Sequence, residues 1–128
     1  MMAWPGKIKA GQTFNHPVIS LDILPTCLAA AGGKQIPGSA KLDGVNLLDY
    51  INGKSTERPH EKFYWKFYTQ GMRSGDWKYI ENKDGKWLFD LAKDPNETTN
   101  LTDLFPDKTK ALSKDLRTWL DSMPEPWK

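Results

Sequence analysis

Residues 71–91 read Gly71-Met72-Arg73-Ser74-Gly75-Asp76-Trp77-Lys78-Tyr79-Ile80-Glu81-Asn82-Lys83-Asp84-Gly85-Lys86-Trp87-Leu88-Phe89-Asp90-Leu91. Strand-forming residues fill 77–80 and 87–91, and the Asn82-Lys83-Asp84-Gly85 between them is a strong hairpin signal. The Gly71 to Asp76 stretch carries a strand end and a turn. Just upstream, Phe63-Tyr64-Trp65-Lys66-Phe67-Tyr68 reads as another strand, bulky at nearly every position, so both of its faces can be covered. Downstream, Asp94-Pro95-Asn96-Glu97 is a further turn. After Pro106 the residues Leu112, Leu116, Trp119, Leu120 and Met123 recur at i, i+4, i+7, i+8 and i+11. That is one apolar stripe on a charged segment, and it predicts a helix over 106–123 ended by Pro124 and Pro126.

The N-terminal half is different in character. Asp22 is placed to cap a helix over 22–31, with Pro25 in its first turn and Gly32-Gly33 as its stop. This helix is apolar nearly all round, Cys27 included, and is expected to be buried against a larger body. A short helix is expected over 45–52, a Gly-, Pro- and Ser-rich loop over 34–41, and the end of a strand at 1–4, closed by Pro5-Gly6. The class is therefore α+β: a small antiparallel sheet of about four strands covered by a C-terminal helix, preceded by a helical and loop segment. The boundary is expected between 1–57 and 58–128.

Composition excludes several functions. A chain of 128 residues has room for one ordinary core. Its 18 basic and 16 acidic residues leave +2, too small a field to imply nucleic acid or an anionic membrane as partner. No apolar run approaches the roughly 20 residues that span a bilayer. One cysteine excludes an internal disulfide framework and any zinc site built from several cysteines. His16 and His60 stand 44 positions apart, without a second ligand type at helical spacing, so no metal site is expected. Asp90, Asp94 and Glu97 lack the ligand spacing of a calcium loop. Cys27, on an apolar helix, is expected to behave as a small hydrophobe rather than a nucleophile. No catalytic residue is assigned. Trp65, Trp77 and Trp87 in the strands either stack on sugars or pack the core of a small sheet. Arg73 and Lys78 beside them either hold an anion or line a solvated face.

Several of these stretches, taken in order, resemble the C-terminal portion of sulfatases, the sulfuric ester hydrolases with an alkaline-phosphatase-like fold. The most specific is Leu88-Phe89-Asp90-Leu91-Ala92-Lys93-Asp94-Pro95-Asn96-Glu97-Thr98-Thr99-Asn100-Leu101, similar to the family's L-Y-D-L, two residues, D-P-x-E, two residues, N-L signature. Met72-Arg73-Ser74-Gly75-Asp76-Trp77-Lys78-Tyr79-Ile80 resembles the V-R-x-G-x-W-K-L strand before it. Trp4-Pro5-Gly6-Lys7-Ile8, Ser20-Leu21-Asp22-Ile23-Leu24-Pro25-Thr26 and Leu42-Asp43-Gly44-Val45-Asn46-Leu47 follow in the family's order.

The resemblance implies a sulfate-ester hydrolase as parent, with calcium and a formylglycine nucleophile, commonly secreted or periplasmic. Cys27 is followed by Leu28-Ala29-Ala30 and does not match the nucleophile motif, and the family's metal ligands have no counterpart here. The chain alone is expected to be inactive, a C-terminal subdomain whose partner is an N-terminal catalytic domain. Trp65 and Arg73 are the positions expected at a substrate rim. A non-catalytic carbohydrate- or anion-binding module using the Trp/Arg/Lys face of the sheet is the alternative. Uncovered apolar surface in 1–31 predicts self-association as a dimer. Leu88, Phe89 and Leu91 are expected to pack on the stripe of the last helix.

Overall fold

Residues 1–33 and 42–124 are described by the computed structural model; the loop expected over 34–41 and Pro126 lie outside them. The chain divides into two compact units, Met1–His60 and Glu61–Lys128.

In the first unit a 3-10 turn, Ser20–Asp22, runs into α1 (Ile23–Ala30), and α2 (Leu48–Ile51) follows. Asp22 does not cap α1 with its side chain. Its carboxylate turns back instead. Oδ2 accepts the Ile19 N–H at 2.9 Å, while Oδ1 accepts the Val45 N–H at 2.9 Å and a bond from His60 Nε2 at 2.7 Å. Asp22 is wholly buried. Burying a carboxylate is costly unless charge-assisted bonds replace its water, and donors from three chain segments do so here. Thr26, also buried, accepts the Leu47 N–H at 3.0 Å. Gly44 sits so close to the Leu21 carbonyl that a Cβ would overlap it, which accounts for glycine in the Asp43-Gly44 turn.

Polar groups thus hold this unit from within, around a buried Leu47, while the apolar residues at the start of α1 face out. Leu21, Ile23 and Leu24 are 53%, 63% and 56% exposed, and Cys27 is exposed as well. The described residues do not cover α1, whose burial is expected against a larger body. An eight-residue helix that is apolar all round presents more apolar surface than two short elements can cover. Residues 1–4 form no strand; the Trp4 carbonyl accepts the Lys7 and Ile8 N–H groups, making the turn at Pro5-Gly6.

The second unit holds β1 (Lys62–Lys66), β2 (Gln70–Ser74), β3 (Trp77–Asn82), β4 (Gly85–Asp90) and α3 (Pro106–Asp121). The strands form one antiparallel sheet in chain order. Asn82 pairs with Gly85, and its side-chain oxygen accepts the Asp84 and Gly85 N–H groups, so the expected hairpin is an Asx-type turn.

Register assigns the faces. Tyr64, Met72, Tyr79 and Leu88 lie opposite one another across the four strands, and Met72, Tyr79 and Leu88 form the core with Leu112 and Leu116 of α3. Fully burying such a side chain contributes roughly 1.5–3 kcal/mol. Trp119 stacks on Tyr64 with ring centroids 5.0 Å apart, and Leu101 joins the same core. Phe89 does not pack on α3 as expected: it pairs with Lys78, one residue out of phase with Leu88, and strand side chains alternate faces. Leu91 lies past the end of β4, its N–H donated to the Asp76 carbonyl. Met123 falls beyond α3 and is exposed.

At the core's edge the Tyr79 hydroxyl donates to Glu81 at 2.7 Å, and Arg117 of α3 donates to the same carboxylate at 2.8 Å. Burial pushes the Tyr79 phenol up to about 12. A raised folded value means stability complete below the ordinary phenol value of 10 and lost as pH climbs through about 12. Urea midpoints of the intact chain are expected to fall across that interval, and Tyr79→Phe to flatten the fall. Parallel declines in both proteins would contradict this role.

Candidate functional site

The sheet face turned away from α3 carries the residues singled out in the sequence. Trp65, Gly71, Ile80 and Trp87 form one cross-strand row, and Phe63, Arg73, Lys78 and Phe89 the next. Trp65 and Arg73 therefore share a face, one row apart, and both are half-buried. Trp77 is on the other face, edge-on to Phe105 at 5.2 Å, with Lys108 5.6 Å above its ring. The three tryptophans do not form one platform.

Gly71 explains how Trp65 sits. The indole lies across the glycine, and a Cβ there would overlap its Cζ2 and Cε2 atoms. Lys78 completes the clamp, with Nζ 5.7 Å from the Trp65 ring centroid.

Both cations of this face already have acidic partners. Lys78 Nζ donates to both Glu97 oxygens at 2.6 and 2.7 Å. Arg73 Nε donates to the Gly75 carbonyl at 2.7 Å, and its Nη2 lies 3.7 Å from Asp76. The charge available to an incoming anion is correspondingly small.

The turn after β4 brings Glu97 to Lys78. Asp94 Oδ2 accepts the N–H groups of Thr98 and Thr99 at 2.8 and 2.9 Å. The Thr99 N–H foremost, with the Thr98 hydroxyl and N–H, holds the Asp94 carboxyl below the usual carboxylate range. Within this turn Glu97 adopts φ +57°, a left-handed conformation uncommon for a residue with a side chain. Asn100 then caps the outer edge of β4: its side chain accepts the Leu88 N–H at 3.1 Å and donates to the Lys86 carbonyl at 3.0 Å. The Leu101 N–H donates to the Leu88 carbonyl at 2.8 Å. An otherwise open strand edge is thereby occupied. Asp94, Glu97 and Asn100 of the 88–101 motif each have a mechanical task.

The chain matches, over residues 1–125, the family described as N-sulphoglucosamine sulphohydrolase, C-terminal. It belongs to that sulfatase C-terminal family. Arylsulfatase K of Mus musculus is 36% identical over 135 residues, an alignment covering 92% of this chain and 24% of that protein. Steryl-sulfatase of Homo sapiens is 28% identical over 137 residues, covering 80% of this chain and 23% of that protein. A crystal structure of Ps i-CgsB in complex with k-i-k-neocarrahexaose superposes with a TM-score of 0.72 at 26% identity, over 91% of this chain and 27% of that one. This sulfatase C-terminal domain spans about a quarter of the length of these relatives.

The calcium and formylglycine implied by the family do not fit the donors present. Among the described residues no group of three or more His, Cys, Asp or Glu is placed to hold a metal ion. The one buried carboxylate of the first unit, Asp22, is already engaged by three donors, and Cys27 lies in Thr26-Cys27-Leu28-Ala29-Ala30. Among the described residues no helix is long and apolar enough to cross a membrane.

The Trp65–Gly71 contact is testable by a double-mutant cycle. Gly71→Ala is expected to cost about 1–3 kcal/mol by urea unfolding, the range for overpacking. In a Trp65→Ala background the same change is expected to cost less than about 0.5 kcal/mol, as coupling between touching residues requires. Equal costs in both backgrounds would show that the indole does not restrict Gly71.

Proposed function

We infer that this domain is the supporting C-terminal part of a sulfate-ester hydrolase, whose nucleophile and metal ligands lie outside this sequence. The observation that carries the reading is the family match across 1–125, with the 88–101 motif folded into a turn that braces the sheet. The domain holds Trp65 and Arg73 on one face, where they contribute to a substrate rim. Trp65 offers an apolar ring to a sugar or aryl group, and Arg73 orients rather than reacts. The chain alone does not hydrolyse sulfate esters. Purified protein incubated with 4-nitrophenyl sulfate and calcium is expected to release no nitrophenol above the buffer rate. Turnover that co-purifies with the chain and survives Cys27→Ala would overturn the assignment.

A second reading, a carbohydrate- or anion-binding module on the same face, draws on Trp65 and Trp87 standing in one cross-strand row. Saccharide binding lost in Trp65→Ala and Trp87→Ala alike, in a chain without turnover, would favour it.

The partner of this domain is a catalytic domain, and α1 supplies the docking surface. Leu21, Ile23 and Leu24, with Val18 48% exposed beside them, form an apolar area that the chain itself leaves uncovered. In isolation that area drives self-association to a dimer. Light scattering is expected to give twice the monomer mass for the intact chain and the monomer mass for Ile23→Lys/Leu24→Lys. A monomer in both proteins at high concentration would refute the dimer.

A further inference from the structure

A groove of about 690 Å³ runs along α3 and opens to solvent. Lys110, Lys114 and Arg117 reach it from the helix and Lys86 from β4, against the two acidic residues Asp103 and Asp121. Arg117 is engaged by Glu81. Lys86, Lys110 and Lys114 make no ion pair among the described residues. The contrast with the Trp65 face is direct, since Arg73 and Lys78 there have carboxylate partners. Three lysines without an ion pair thus line one groove beside the helix.

The remaining lining narrows the ligand. Thr109, Ser113 and Thr118 also face the groove. The Thr109 hydroxyl donates to the Phe105 carbonyl at 2.9 Å and the Thr118 hydroxyl to the Lys114 carbonyl at 3.1 Å. Their protons are spent and their lone pairs remain, so these threonines accept from a ligand's hydroxyls. A ligand that suits both sets carries anionic groups for the lysines and hydroxyl donors for the threonines. Lys110 to Arg117 covers two helical turns, roughly 10 Å at 1.5 Å per residue. A chain bearing several anionic groups therefore meets more than one cation at once. No aromatic ring lines the groove, and single-stranded nucleic acid relies on ring stacking for much of its affinity.

We propose that this groove is an accessory docking site for an anionic polysaccharide, a chain of sugar hydroxyls bearing sulfate or carboxylate groups. It is separate from the Trp65/Arg73 face and requires no catalysis by this chain. A polymer held here stays near the protein through multivalent ionic contacts, with a marked dependence on salt.

The test is calorimetric titration of the full chain, at low and moderate salt, with four probes: dextran sulfate, polygalacturonate, neutral dextran and oligo(dT). Binding of dextran sulfate or polygalacturonate, but not dextran, is expected, and their relative strength identifies sulfate or carboxylate as the preferred group. Lys110→Gln/Lys114→Gln is expected to weaken that binding about tenfold, with circular dichroism unchanged because both side chains are exposed. Lys66→Gln/Lys93→Gln removes equal charge from exposed residues of the same unit that do not line the groove and is expected to change binding less than about twofold. Equal losses in the two double variants, no loss in the first, or oligo(dT) binding as tightly as the polysaccharides would each overturn the proposal. None of these outcomes bears on sulfate-ester hydrolysis, so failure here is distinct from failure of the sulfatase reading.

Discussion

A sheet of four short strands has two faces, and one sixteen-residue helix can cover only one of them. The second unit is organised by that limit. Tyr79, flanked by Met72 and Leu88 in register, meets Leu112 and Leu116 of α3, and the polar edge of the contact is closed by Glu81 with Tyr79 and Arg117. Because strand side chains alternate, placing Tyr79 on the helix side commits Lys78 and Ile80 to the opposite side, together with Trp65 and Trp87. Core and candidate site are thus two consequences of one register.

The geometry of the long motif over 88–101 accounts for its Asp94, Glu97 and Asn100. Asp94 gathers two backbone N–H groups, Glu97 takes a left-handed conformation, and that conformation delivers its carboxylate to Lys78. Lys78 in turn lies over Trp65, which rests on the bare backbone of Gly71. A turn outside the sheet thereby fixes the Trp65 ring on the face away from α3. The same bonds neutralise the cations of that face, whereas Lys86, Lys110 and Lys114 beside α3 make no ion pair among the described residues.

The first unit inverts the usual distribution. Asp22 and Thr26 are buried while Leu21, Ile23 and Leu24 are exposed. Polar interiors of this kind need every bond made, and here Ile19, Val45, Leu47 and His60 make them. The chain itself leaves those apolar residues uncovered, and it spans about a quarter of the length of the relatives it matches.

How much was legible in the residues follows from the range of the forces involved. Local signals marked the four strands, the Asn82–Gly85 turn and the stripe of α3, because periodicity and turn chemistry act over a few neighbours. Family resemblance was equally readable, since it rests on ordered motifs. The role of Asp22 was not, because a good helix cap and a buried three-way acceptor look alike in sequence. Nor was the division of the tryptophans, because adjacent bulky positions such as Leu88 and Phe89 reveal no face until a partner strand sets the register. Residue pattern alone sufficed for the four strands, the last helix and the family, though not for the strand end expected at 1–4, which forms none. Which charges are paired, which side of the sheet each ring occupies and where lysines without ion pairs converge were set by the folded arrangement. Those properties depend on side chains from distant segments meeting in space.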